Sequence, residues 1–176
     1  MTKRMRRVAL GILSTLAILV VSFGIATPAS AGTYGPEKLV HSSGYCVEAP
    51  TPYLGQQLIL NYCGGPASHN QHFTFEDAGF VAWQYFIHLE GSPYCLQPGA
   101  PDLYNSTIVL WTCNSLSTAQ IWILGFPHYP NTTDRDLANL YNARCIDTPP
   151  GEVPVAGSYL RATGCLRGWY NLYYVS

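Results

Sequence analysis

Six cysteines, at positions 46, 63, 95, 113, 145 and 165, are the residues best placed to do covalent chemistry, and the chemistry they suit is oxidation. Their number is even, as a disulfide framework requires. None stands in the close Cys-x₂₋₄-Cys pair that a zinc site needs. Catalytic constellations are missing from the rest of the chain. There is no Gly-x-Ser-x-Gly elbow, no His-Glu-x-x-His and no glycine-rich phosphate loop. His69 and His72 are three apart, but a loop-to-strand segment gives them no shared helical face, so they read as exposed loop histidines rather than a metal pair. Glu76 and Asp77 are adjacent and point to opposite faces of a strand, which argues against a glycosidase carboxylate pair. No enzyme activity, no cofactor and no metal site is expected.

Lys3, Arg4, Arg6 and Arg7 precede an apolar run from Val8 to Ala26, followed by Thr27-Pro28-Ala29-Ser30-Ala31. Small residues at −3 and −1 of a cut before Gly32 make residues 1–31 a signal peptide by pattern. An uncleaved transmembrane anchor is the rival, which Pro28 and the Ala-Ser-Ala exit disfavour. The expected product is therefore secreted and free of the membrane. Four of the nine basic residues lie in this leader and none of the ten acids, which leaves five against ten, net −5. No basic patch remains for phosphates, so nucleic acid is not an expected partner. About 145 residues are left for residues 32–176, enough for one domain.

Stepping along the cysteines, consecutive pairs are 17, 18 and 20 residues apart, and the pairs begin 49 and 50 residues apart. The flanks repeat too. Cys46-Val47-Glu48, Cys95-Leu96-Gln97 and Cys145-Ile146-Asp147 each read cysteine, aliphatic, polar. A Pro/Gly-rich turn follows each one. A strand-forming run then leads to the second cysteine: residues 57–62, 107–112 and 159–163. Beyond it, Gln71-His72-Phe73 and Gln120-Ile121-Trp122 share a Gln-x-aromatic pattern, weakened to Asn171-Leu172-Tyr173 in the third copy. Apolar segments at residues 80–83 and 85–87 lead as strands into the next copy. Four short strands per unit give twelve, with no helical periodicity. Six cysteines allow 15 pairings in principle. Pairing within each unit (Cys46–Cys63, Cys95–Cys113, Cys145–Cys165) alone preserves the repeat. The units run at about residues 37–84, 85–134 and 135–176.

Three copies that open with Cys-aliphatic-polar (an acid in two of them) and close on a second cysteine followed by Gln-x-aromatic, weakened in the third, resemble the ricin B-type lectin domain, with its Cys-aliphatic-acid and Gln-x-Trp pattern, an architecture shared with family 13 carbohydrate-binding modules. The resemblance spans Glu37 to the C-terminus. It implies an all-β fold, a β-trefoil, in which six strands form a short barrel and three hairpins cap it about a pseudo-threefold axis. It also implies that Phe73, Trp122 and Tyr173 are core residues.

The resemblance further implies three sugar-contacting positions per unit: the acid two after the first cysteine, an aromatic two before the second, and an Asn just before the Gln. A carboxylate suits paired hydroxyls because it accepts charge-assisted hydrogen bonds, and a ring covers the apolar C–H face of a sugar. No unit is complete. The first offers Glu48, Asn61 in place of the ring, and Asn70 with Gln71. The second has Gln97 for the acid and keeps Trp111, with Ala119 where the Asn would be. The third keeps Asp147, has Thr163 for the ring, and brings Tyr170 and Asn171. Each has a structural alternative: Trp111 as packing, Asp147 as a cap on its own Thr148-Pro149-Pro150-Gly151 turn. Asn105 and Asn131 head N-glycosylation sequons.

The expected function is carbohydrate binding without catalysis, toward a galactoside- or xylan-type glycan, with weak sites acting together. The alternative is a protein partner: an inhibitor or accessory subunit on a trefoil whose sugar sites have eroded.

Overall fold

The computed structural model describes residues 32–64, 68–125 and 136–165, and residues 173–175 as backbone. The leader, Tyr170, Asn171, Asn131 and the side chain of Tyr173 lie outside the described residues.

Among the described residues twelve strands follow one another, four to a unit. The first unit holds β1 (Thr33–His41), β2 (Cys46–Glu48), β3 (Ile59–Asn61) and β4 (His72–Asp77). The second holds β5 (Gln84–Leu89), β6 (Tyr94–Pro98), β7 (Ser106–Thr112) and β8 (Ile121–Leu124). The third holds β9 (Leu137–Asn139), β10 (Cys145–Asp147), β11 (Arg161–Thr163) and β12 (Tyr173–Val175). Among the described residues, two single-turn 3₁₀ helices, His69–Gln71 and Thr118–Gln120, interrupt them.

The outer strands of the units pair in sequence, all antiparallel: β1 with β4, β4 with β5, β5 with β8, β8 with β9, and β12 back onto β1. This is the barrel. The inner strands form hairpins β2–β3, β6–β7 and β10–β11, which meet one another through β7–β11 and the bridges Gln57–Val109 and Ile59–Tyr159. These hairpins are the cap, and the architecture is the β-trefoil that the resemblance implies. The disulfides are Cys46–Cys63, Cys95–Cys113 and Cys145–Cys165, one within each unit.

Period-two alternation drives the strands together, since successive side chains in a strand point to opposite faces. In β4, Phe73 and Phe75 are buried while His72, Thr74 and Glu76 face outward. Leu39, Phe73, Phe75, Ile87, Leu89 and Trp122 belong to one continuous core. Trp122 is fully buried and donates its indole N–H to the Leu96 carbonyl at 2.9 Å, so no polar atom of the ring is stranded. Phe73 and Trp122 are thus core residues, as expected for the Gln-x-aromatic positions. Gly35 lets β1 cross β4 closely, because a Cβ there would meet the Phe73 carbonyl oxygen at 2.8 Å and its φ is +110°.

One segment departs from expectation. The apolar run 80–83, read as a strand, is the exposed turn between β4 and β5. Asp77 accepts the Gly79 N–H, the Ala78 N–H reaches the Gln84 carbonyl, and Trp83 sits at φ 73°, so the chain reverses before it can extend.

Candidate functional site

The glutamine of each described Gln-x-aromatic motif is a clamp. Gln71 and Gln120 end the two 3₁₀ turns and are buried. In the first unit the Gln71 Oε1 accepts the Gly64 N–H at 2.7 Å, while Nε2 donates to the Tyr62 carbonyl at 2.9 Å and to Glu48 Oε2 at 2.6 Å. In the second, Gln120 Oε1 accepts the Asn114 N–H at 2.7 Å, while Nε2 donates to the Thr112 carbonyl at 2.9 Å and to Gln97 Oε1 at 3.0 Å. One amide thus ties together the residue after the second cysteine, the residue before it, and the side chain at the acid position. Both N–H groups of Gln71 are engaged, so it positions Glu48 and has no donor left for a ligand.

The acid positions differ among the units. Glu48 Oε2 also accepts from Asn61 Nδ2 at 3.0 Å. Glu48, Asn61 and Gln71 therefore come together as one hydrogen-bonded cluster, whereas Asn70 lines a separate groove with Pro50, Pro52, His69 and Glu90. Tyr62, beside this cluster, is mostly exposed and meets Tyr45 edge-on at 5.5 Å. In the third unit Asp147 is turned inward and buried. Its Oδ1 accepts from the Thr148 N–H at 2.6 Å, the Thr148 hydroxyl at 3.4 Å and His41 Nε2 at 3.3 Å. The Ser43 N–H donates to His41 Nδ1 at 3.1 Å, so that nitrogen is the acceptor and Nε2 carries the proton toward Asp147. Asp147 caps its own turn and pairs with β1, and Thr163 beside it is also buried.

The second unit combines an exposed ring with an open depression. Trp111, near the end of β7, is 45% exposed although its neighbour Leu110 is fully buried. With Gln97, Asn114, Ser117 and Gln120 it lines a depression of about 290 Å³. The clamp sets its polarity. Because Gln120 must accept from the Asn114 N–H, its amide nitrogen points at Gln97, which must answer with its oxygen. The NH₂ of Gln97 is then left as donor to the depression. Asn114 engages its Oδ1 with the Leu116 N–H at 3.0 Å, which again leaves an NH₂ as donor. The site is a ring beside two amide donors, with no carboxylate among its lining residues. Asn114 was not singled out in the sequence, though its place directly after the second cysteine is the available signal.

Residues 36–155 match the family profile described as the ricin-type beta-trefoil lectin domain. None of the curated proteins matches the chain by sequence. Among solved structures, the chain is similar to the designed threefold-symmetric protein ThreeFoil (TM-score 0.68, 14% identity, 79% of this chain and 96% of that one). It is also similar to the C-half of the earthworm R-type lectin in complex with GalNAc (TM-score 0.58, 14% identity, 80% and 98%). A third is the non-toxic homologue of type II RIPs from Momordica charantia, in complex with α-methyl-D-galactoside (TM-score 0.60, 17% identity, 84% and 48%).

Proposed function

We propose, from the premise that this chain belongs to the ricin-type beta-trefoil lectin domain family, that it is a secreted, non-catalytic carbohydrate-binding protein whose working site is the depression of the second unit. The observation that carries the assignment to this site is Trp111, a half-exposed ring beside the clamped Gln97. A sugar laid on that ring would cover apolar C–H surface while its hydroxyl oxygens accept from the amides of Gln97 and Asn114. Galactose-type sugars are the first class to test, because two structural neighbours were solved with such ligands. One shallow site implies weak binding.

The test is calorimetry of the oxidised chain against methyl galactoside, N-acetylgalactosamine and xylo-oligosaccharides. Measurable heat with at least one of them, and a loss of about tenfold in affinity (about 1.4 kcal/mol) in Trp111→Ala, is the expected result. Silence with every glycan at millimolar concentration defeats the reading. Binding that Trp111→Ala leaves unchanged moves the site elsewhere.

A second reading has its own observation. Each cap hairpin presents exposed apolar side chains in its loop: Tyr53 and Leu54, Leu103 and Tyr104, Val153 and Val155. Such a surface suits a protein partner. A stoichiometric partner retained from the producing culture and indifferent to added sugar favours this reading.

A further inference from the structure

The geometry points to a divalent transition-metal site of the zinc class, formed by His69, His72 and Glu90 and unrelated to the sugar reading. His69 lies in the 3₁₀ turn before β4, His72 is the first residue of β4, and Glu90 follows β5 in the next unit. The His72 N–H bonds the His69 carbonyl across the 3₁₀ turn, and at that spacing of three the two imidazoles come to the same side. The Glu90 N–H donates to the His72 carbonyl at 2.9 Å, which fixes the carboxylate against the same turn.

The donor atoms then converge. His72 Nδ1 is 3.2 Å and His69 Nδ1 is 3.4 Å from one and the same oxygen, Glu90 Oε2. All three donor atoms lie within 4.8 Å of one another. As hydrogen bonds these contacts are long, one at and one beyond the usual limit for N–H···O. As edges of a coordination shell they fit. Bonds of about 2.0–2.1 Å in a tetrahedron place neighbouring donors about 3.3–3.4 Å apart. The rings meet edge-to-face, with centroids 6.3 Å apart and an interplanar angle of 77°, so they converge without stacking. Two imidazoles and one carboxylate suit zinc, nickel or copper(II), whereas calcium and magnesium want a fuller set of oxygens. Three protein ligands leave a coordination position open, and His69 and Glu90 also line the adjoining groove of about 340 Å³. The other His/Cys cluster, His88 with Cys95 and Cys113, is no rival, since its two sulfurs are joined in a disulfide.

The experiment is titration of the oxidised chain with Zn²⁺ alone, followed by calorimetry and by the histidine ring resonances. One saturable Zn²⁺ per chain is expected, with the ring signals of His69 and His72 shifting and that of His41 unmoved. His69→Ala and Glu90→Gln should each weaken binding by more than about tenfold, since removing even an outer-shell partner of a metal ligand costs that much. The His69 side chain is 75% exposed, so its variant should melt with wild type, and a matched melting curve separates loss of ligand from loss of fold. No saturable uptake of Zn²⁺ overturns the proposal, as do His69→Ala and Glu90→Gln proteins that titrate like wild type. Neither outcome bears on Trp111 and its glycan.

Discussion

Replacing Gln120 by Met separates the clamp from the surface it supports. The substitution keeps the chain length of the side chain and removes both polar atoms. It leaves the Asn114 N–H, the Thr112 carbonyl and Gln97 Oε1 without their partner. Gln120 is 1% exposed, so solvent does not readily replace it at its own position. Three neutral hydrogen bonds at about 0.5–1.5 kcal/mol each, partly recovered where Gln97 turns to water, give a loss of about 2–3 kcal/mol. For a domain of this size each kcal/mol lowers the melting temperature by about 3–5 °C, so Gln120→Met should melt about 6–15 °C below wild type. The assay is thermal unfolding of the oxidised protein, followed by circular dichroism and calorimetry. Trp111→Ala, run beside it, should melt close to wild type because its ring is half in solvent. A Gln120→Met protein within about 0.5 kcal/mol of wild type, the range of an ordinary surface substitution, would refute the clamp.

Asp147→Ala should destabilise by about 2–3 kcal/mol, because it strands the buried Thr148 N–H and removes the contact between β10 and His41 of β1; glycan calorimetry should be unchanged, and the reverse outcome would return Asp147 to the ligand set. Trp122→Ala should cost about 3–5 kcal/mol by denaturant unfolding, as a fully buried ring leaves both a cavity and an unpaired Leu96 carbonyl. Reducing the Cys46–Cys63 bridge, which closes a 17-residue separation, should lower stability by about 3 kcal/mol on chain-entropy grounds, read as the shift in the unfolding midpoint of the Cys46→Ala/Cys63→Ala pair. Burial pushes the Tyr34 hydroxyl above the ordinary tyrosine range, with Tyr85 and Glu37 adding to the effect. The folded state therefore holds that proton more tightly than the unfolded chain. Its contribution is complete below pH about 10 and is lost as the pH rises beyond it. Ultraviolet titration should show a late-ionising phenol that Tyr34→Phe removes.

The cysteine spacings and the Gln-x-aromatic copies made the trefoil legible, because a repeated hairpin with a repeated cross-link has few ways to close. The resemblance also carried Phe73 and Trp122 correctly into the core. What the residues alone concealed was which lone pairs were already engaged. Asp147 and His41 are 106 residues apart in sequence, and nothing in either local pattern announces their contact. Glu48 and Asp147 occupy equivalent positions, yet one faces a polar cluster and the other is drawn inward by a histidine from β1. The pairing of His69 and His72 depended on a single 3₁₀ turn, too short to leave a periodic signature, and on Glu90 from the following unit. The run 80–83 looked like a strand because apolar composition does not distinguish a buried extended segment from an exposed turn. There the left-handed backbone at Trp83 decided the matter.

The pairing of β12 with Leu39, Val40 and His41 of β1 joins strands that lie more than 130 residues apart in sequence. No local hairpin can supply that contact, so this seam of the ring depends on the far end of the third unit reaching back to the first. A chain cut short before residue 173 loses that partner and presents an open strand edge to any passing β-segment.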